Sequence, residues 1–194
     1  MNYAIILAGG SGTRFWPLST EVEPKQFLNI CSDKPMIEQA IKRIGGLIEK
    51  QNIHIATNKI YHKKIKGCLK GINILIGNIL FEPQARNTFA PIGLLAARIY
   101  KKDKDAVMLV LPSDHYIKNN SKFINTLQKA IQLAKKGFIV TLGVTPLRPE
   151  TGYGYIKAKV KKNGYFLIDK FIEKPDFKRA KRFIKDKGFF WNAG

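Results

Sequence analysis

Gly9, Gly10 and Gly12 punctuate the stretch Leu7-Ala8-Gly9-Gly10-Ser11-Gly12-Thr13-Arg14, near the start of a 194-residue chain. A glycine-rich loop lets backbone N–H groups cradle phosphate oxygens, and an arginine adds a permanent charge on a planar donor fork. Two familiar phosphate loops are excluded. A P-loop closes on Gly-Lys-Ser/Thr, whereas this stretch closes on Gly12-Thr13-Arg14. A dinucleotide fingerprint begun at Gly10 needs a glycine where Phe15 stands. It also wants an acidic residue closing the second strand, where Thr57-Asn58 stand. Taken alone, the glycines suit a tight turn as well as a ligand loop.

Other residues carry chemistry only in context. Asp114 follows the apolar run Ala106–Leu111 and Pro112-Ser113. A carboxylate there suits Mg²⁺, which takes oxygen ligands and shares them with substrate phosphates, but it also suits a plain turn. His115 reads as a loop-positioning residue rather than a base. Lys25 and Lys174 stand out from the many other lysines only through their neighbours. Arg86 lies near a helix start, and Glu173 beside Lys174 makes an ordinary ion pair worth ~0–1 kcal/mol if exposed. Gly152 and Gly154 either break a strand or let backbone approach a sugar hydroxyl. His54, between Ile53 and Ile55, reads as a packed strand residue, and His62 as surface. No convincing acid–base pair emerges.

The elements that must position these residues alternate. Tyr3–Ala8 reads as a buried strand, Pro35–Leu47 as an amphipathic helix, and Ile53–Thr57 as a strand. Asn58–Leu69 reads as a basic helix, and Ile72–Ile76 and Ile79–Glu82 as strands. A helix follows through Tyr100, capped by Asn87 or Thr88, with Pro91 tolerated in its first turn. Ala106–Leu111 is continuously apolar, as in a strand buried on both faces. Ser121–Lys136 reads as helix and Phe138–Val144 as strand. After Pro149 the pattern changes: Tyr153–Val160 and Tyr165–Ile172 flank Asn163-Gly164, a hairpin signal, and a basic helix Asp176–Lys187 follows. The alternation predicts an α/β fold, a Rossmann-like mostly parallel sheet with flanking helices.

Composition bounds the rest. The chain is 45% hydrophobic and 11% aromatic, which argues against disorder. Ala4–Ala8 is too short for a secretory segment, and no run approaches the ~18 apolar residues of a membrane span. A cytoplasmic chain without a membrane partner is expected. Cys31 and Cys68 show no metal spacing and read as reduced thiols. The net charge of +20 comes mostly from scattered lysines, with Arg at only seven positions. That pattern reads as a solvated surface which attracts anionic small molecules, not as a nucleic-acid reader.

Arg14-Phe15-Trp16-Pro17-Leu18-Ser19, followed by Pro24-Lys25-Gln26-Phe27-Leu28, resembles the signature of the nucleotide-sugar pyrophosphorylase family. The Pro-Lys-Gln-Phe-Leu form points to its mannose-1-phosphate guanylyltransferase branch. Glu82-Pro83 with Arg86-Asn87-Thr88 resembles the family's base-side segment, and Leu111-Pro112-Ser113-Asp114-His115 its metal-binding strand end. Pro149–Tyr155 resembles its sugar-side loop, Phe171-Ile172-Glu173-Lys174-Pro175 its sugar-phosphate motif, and Trp191-Asn192-Ala193-Gly194 the opening of a further motif.

The resemblance implies transfer of GMP from GTP to mannose 1-phosphate, giving GDP-mannose and pyrophosphate with Mg²⁺ as cofactor. It implies nucleotide contacts from Leu7, Ala8, Gly9, Gly10, Ser11, Gly12, Thr13, Glu82, Arg86, Asn87 and Thr88. Arg14, Lys25 and Asp114 become catalytic, and Asp114 the metal ligand. Gly152, Glu173, Lys174 and Asn192 become sugar-phosphate contacts. One departure is Phe89-Ala90-Pro91 after Thr88, where the family usually has Ala-Pro-Ala. The resemblance also implies that residues 1–194 form an incomplete catalytic domain, without a second metal-binding aspartate or a C-terminal β-helical domain. Weak or no turnover by this polypeptide alone is then expected. A complementing C-terminal fragment or a homo-oligomer stays open as partner. The other readings are a different sugar-1-phosphate nucleotidyltransferase and a non-catalytic nucleotide-binding remnant.

Overall fold

In a computed structural model, the described residues are 1–10, 15–30, 32–84 and 87–193. They fall into two compact units, Met1–Phe138 and Ile139–Gly194.

The first unit is built on a parallel sheet in the order β3-β2-β1-β4. Its strands are β1 (Asn2–Ala8), β2 (Ile53–Asn58), β3 (Ile79–Glu82) and β4 (Val107–Pro112). Ala8 pairs with Thr57, Asn58 with Glu82 and Leu7 with Pro112, so every carboxyl end reaches the same edge. Strand β1 is central, and its period of two sends Tyr3 and Ile5 to one face. There they join Ala56, Leu80, Leu95 and Ile99 in a buried cluster. Leu95 and Ile99 come from α3 (Phe89–Lys102), four residues apart and so on one helical face. Helix α1 (Met36–Arg43) packs on β1 with Met36, Ile37, Ala40 and Ile41 buried. Helix α2 (His62–Cys68) buries Ile65, and α4 (Asn120–Ala134) buries Leu127 and Ile131. His54 is 6% exposed within β2, as a packed strand residue should be.

Several sequence expectations need correction. Ile72–Ile76 forms no strand: Gly71 and Asn73 adopt φ of +87° and +59°, left-handed values incompatible with extended pairing. Leu75 and Ile76 are exposed, and the pairing residues begin at Ile79. The expected strand Phe138–Val144 shrinks to Gly143–Val144, with Ile139 fully exposed. Strand β4 is not buried on both faces. It is one of the two edge strands of this sheet, only Leu111 is buried, and Met108 and Val110 pack part-buried on the Tyr3 cluster. The helix from Asn58 opens as a 3₁₀ turn, Lys59–Tyr61, capped by the Asn58 side chain. Thr88 holds the N-cap position of α3 without a side-chain cap bond. Among the described residues, no helix is long and apolar enough to cross a membrane.

The second unit is an antiparallel sheet in the order β5-β8-β6-β7. Its strands are β5 (Gly143–Val144), β6 (Tyr155–Lys162), β7 (Tyr165–Ile172) and β8 (Phe189–Asn192). Gly164, at φ +87°, makes the expected hairpin turn between β6 and β7. Helix α5 (Phe177–Phe183) is capped by Asp176, whose carboxylate accepts from the Arg179 N–H. Ala180 of that helix packs with Tyr155, Phe189 and Trp191.

Candidate active site

In open parallel sheets, ligands bind beyond the carboxyl ends of the strands. At that edge of the first unit the chain leaves β1 through Gly9 and Gly10, and three separate segments hold this exit. Gln26, 3% exposed, donates from Nε2 to the carbonyls of Ala8 at 3.0 Å and Gly10 at 2.9 Å. Thr57 at the end of β2 donates its hydroxyl to Ala8 O at 3.0 Å. Ser113, just past β4, donates both Oγ and backbone N–H to Leu7 O, at 2.7 and 3.0 Å. The carbonyls of Leu7, Ala8 and Gly10 are thus engaged by protein donors. Leaving such groups unpaired in a buried place would cost ~1–3 kcal/mol each.

Glu82, at the end of β3, reaches across β2 to the same loop. A Cβ on Gly9 would lie 3.2 Å from Glu82 Oε2, so any larger residue there would press on the carboxylate. The Glu82 side chain is buried, and burial pushes its carboxyl above the usual carboxylate range. Among the described residues, no Lys, Arg or His pairs with it. The site therefore holds a desolvated acceptor beside a glycine loop, able to take N–H donors from a ligand.

Lys25 begins the short 3₁₀ turn Lys25–Phe27, adjacent to the tethering Gln26. Its ammonium lies 3.0 Å from Asp114 O and 3.5 Å from Asp114 Oδ2, and 5.1 Å from the Phe15 ring centroid. This links the segment after the glycine loop to the turn after β4. Both side chains are partly exposed, at 24% and 40%, so the pair is open to ligand and weak, ~0–1 kcal/mol. His115 is exposed. Its carbonyl accepts from Arg43 at 3.5 Å, and Arg43 Nε donates to Asn120 Oδ1 at 3.2 Å, so the 113–120 loop is tied to α1.

The structure therefore brings together Leu7, Ala8, Gly9, Gly10, Lys25, Glu82 and Asp114. Asn87 and Thr88 lie exposed at the start of α3, and no hydrogen bond joins them to those residues among the described ones. Ser11, Gly12, Thr13, Arg14 and Arg86 lie outside the described residues, as does Cys31. Among the described residues, no cluster of three His, Cys, Asp or Glu could hold a metal by itself. A lone, half-exposed Asp114 does fit Mg²⁺, which is commonly held by one or two carboxylates plus substrate phosphates.

In the second unit, Gly154 is the pivot. Its carbonyl accepts from the Asn192 N–H at 2.8 Å, and the Asn192 side chain bonds the Thr141 hydroxyl. A Cβ on Gly154 would lie 2.5 Å from Phe171 Cζ and 3.0 Å from Glu173 Oε2, so any side chain there would have to displace the Phe171 ring. Glu173 pairs with Lys174 at 3.0 Å, both more than half exposed. Lys174 sits at φ +40°, a left-handed conformation that costs a non-glycine residue roughly 1–2 kcal/mol. Such strain collects where a side chain must be aimed. Gly152 donates to Glu150 Oε1 at 3.4 Å, while Glu150 N–H bonds the Tyr155 hydroxyl and its carboxylate meets Arg148 at 3.2 Å. Glu173, Lys174 and Asn192 thus gather about the 152–154 loop.

Residue-level reasoning missed Gln26, Thr57 and Ser113 as loop anchors, and Gly154 as the pivot. Gln26, Ser113 and Gly154 stood inside motifs already singled out. Thr57 gave only the weaker signal of a polar residue closing an apolar strand.

Comparison with known proteins adds to this geometry. The family described as Nucleotidyl transferase matches residues 3–194. A mannose-1-phosphate guanylyltransferase of Escherichia coli is 40% identical over 198 residues, covering 98% of this chain and 42% of that protein. A Thermus thermophilus structure named mannose-1-phosphate geranyltransferase superposes with TM-score 0.85 at 33% identity, covering 100% of this chain and 56% of that one. A Helicobacter pylori structure named mannose-6-phosphate isomerase gives TM-score 0.79 at 33% identity, covering 100% and 69%. The chain thus spans about two fifths of the length of its curated relatives.

Proposed function

Because the chain belongs to the nucleotidyl transferase family, we propose that it forms the nucleotide-holding part of a mannose-1-phosphate guanylyltransferase, joining GMP from GTP to mannose 1-phosphate with release of pyrophosphate. The observation that carries this reading is the Lys25–Asp114 bridge beside a glycine loop stapled by Gln26.

A phosphate oxygen of mannose 1-phosphate attacks the α-phosphorus of GTP in line, and the bond to the pyrophosphate oxygen breaks. The attacking oxygen is already anionic near neutral pH, so no general base is needed. The barrier is alignment and repulsion between anions, which positioned cations and dipoles lower. Gly9 and Gly10, with Ser11, Gly12 and Thr13, hold the triphosphate. Lys25 leaves Asp114 and, with Arg14, offsets charge on the α-phosphate and the leaving group. Mg²⁺, held by Asp114 and phosphate oxygens, would supply further charge neutralisation at the phosphates. Glu82 accepts from the N–H groups of the base, and Arg86, Asn87 and Thr88 are further proposed contacts to the nucleotide. Lys174 binds the sugar phosphate, while Gly152, Glu173 and Asn192 contact mannose hydroxyls.

Calorimetry with GTP, ATP and UTP on the 194-residue chain tests the nucleotide half. GTP is expected to bind tightest, and Lys25→Ala to weaken it at least tenfold, about 1.4 kcal/mol. Equal affinity for all three nucleotides, or indifference to Lys25→Ala, contradicts the assignment. In an enzyme that turns over, Asp114→Ala should lower the rate of pyrophosphate release by more than tenfold. GTP binding by this chain without product formation would favour a nucleotide-binding module over a complete catalyst.

A further inference from the structure

We infer that Glu150 positions the loop 148–154 and, through it, the sugar-phosphate end of the substrate. The inference rests on the sugar-side role proposed above for that loop, and it adds the residue that gives the loop its shape.

The loop lies between β5 and β6 and has no ladder of its own. Among the described residues, none of 148–153 enters a backbone–backbone hydrogen bond. Side chains must therefore supply the order that a ladder supplies elsewhere. Each hydrogen bond that residues 148–153 make among the described residues has Glu150 as one partner. The Glu150 backbone N–H donates to the Tyr155 hydroxyl at 3.0 Å, and Tyr155 is fully buried. One carboxylate oxygen, Oε2, takes both Nε and Nη2 of Arg148 at 3.2 Å. The other, Oε1, accepts from the Gly152 N–H at 3.4 Å, two residues ahead. Pro149, between Arg148 and Glu150, fixes φ and narrows the backbone from which this turn starts.

The same contacts close the loop on one buried ring. Trp191 is 9% exposed, with the Arg148 guanidinium 5.9 Å from its centroid and the Tyr153 ring edge-on at 5.4 Å. Trp191 and Tyr155 pair across β8 and β6 and share a buried cluster. At the next position along the sheet, the Gly154 carbonyl accepts from the Asn192 N–H at 2.8 Å, close to Glu173. The anchor of the loop thus adjoins the contacts proposed for mannose. Both Glu150 oxygens are engaged within the loop, so Glu150 acts by placing Gly152 and Gly154. Its pair with Arg148 is 27% and 66% exposed on the two sides, so it orients the carboxylate more than it stabilises the fold. Misplacing a substrate contact by about 1 Å can cost on the order of 10²-fold in rate.

The test compares the 194-residue chain with Glu150→Ala and Glu150→Gln by amide NMR, with mannose 1-phosphate and GTP as probes. Glu150→Ala should lower the Gly152 backbone order parameter from the rigid range of ~0.85 to below ~0.6. It should also weaken mannose 1-phosphate binding by at least about tenfold, with GTP affinity, read at Gly9 and Gly10, unchanged. Glu150→Gln keeps an oxygen for the Gly152 N–H. It should leave the loop rigid and sugar-phosphate affinity within about threefold, the loss of an exposed ion pair. An unchanged order parameter or unchanged sugar-phosphate affinity in Glu150→Ala would overturn the inference. So would a Gln variant as impaired as the Ala variant, or an equal loss of GTP affinity. Absence of mannose 1-phosphate binding by the unaltered chain would count against the sugar half of the proposed function. The order parameter at Gly152 would then decide the role of Glu150 in the loop by itself.

Discussion

Gln26 carries much of the order in the glycine loop with one amide. Its Nε2 bridges two carbonyls on either side of Gly9, and the side chain is shielded from water. Gln26→Leu keeps the size and removes both bonds. It is expected to destabilise the chain by about 1–3 kcal/mol in urea unfolding and to weaken GTP binding, with Lys25 still present. Unchanged stability would mean that the loop holds its shape without the tether. Glu82 makes a pH-dependent prediction. Burial raises its folded-state pKa above that of the unfolded chain. The ionised form is therefore disfavoured by folding, and stability falls as pH rises from the ordinary carboxylate value of ~4.3 through the folded pKa. Glu82→Gln should remove that fall, making the ligand-free variant more stable near neutrality and leaving no gain well below pH ~4. Urea midpoints measured across that range decide it.

At the scale of elements, the edge proposed to bind nucleotide depends on how firmly α3 and the central strands pack. Leu95 is 1% exposed and lies in the cluster with Tyr3, Ile5, Leu80 and Ile99. Leu95→Ala should cost about 2–5 kcal/mol through lost burial and the cavity left behind, read from denaturant unfolding. A cost below about 1 kcal/mol would mean that the α3 face is loosely packed, contrary to its burial. Strand endings matter as much as strand interiors. Thr57, Glu82 and Ser113 each stand at or just past a parallel strand's carboxyl end, and each turns its side chain toward the β1 exit. Four parallel strands thus place chemistry from well-separated stretches of sequence along one edge.

For the whole molecule, the net charge of +20 is spread over both units. It sets a field that concentrates anionic substrates, and salt screens that field. GTP affinity should fall as ionic strength rises from ~0.05 to ~0.5 M, where the Debye length shrinks to a few ångströms. Affinity independent of salt would mean that local contacts alone hold the nucleotide. The division into a parallel and an antiparallel sheet falls after Phe138, ahead of the change of pattern at Pro149, because Gly143 and Val144 pair antiparallel with Asn192 and Trp191.

The sequence by itself determined the alternating elements, the glycine exit from β1, the hairpin at Gly164 and the motifs around Lys25, Asp114 and Glu173. Each is a local pattern, written in residues a few positions apart. Where local pattern was ambiguous, reading failed: Ile72–Ile76 is apolar enough for a strand, but the backbone at Gly71 and Asn73 turns left-handed. Only the tertiary structure decided that Gln26 reaches back 18 and 16 residues to the loop carbonyls, and that Lys25 meets Asp114 across 89. Those contacts are made by parallel strands converging on one edge. Hydrogen-bond partners so far apart in the chain leave no periodicity for a sequence to display.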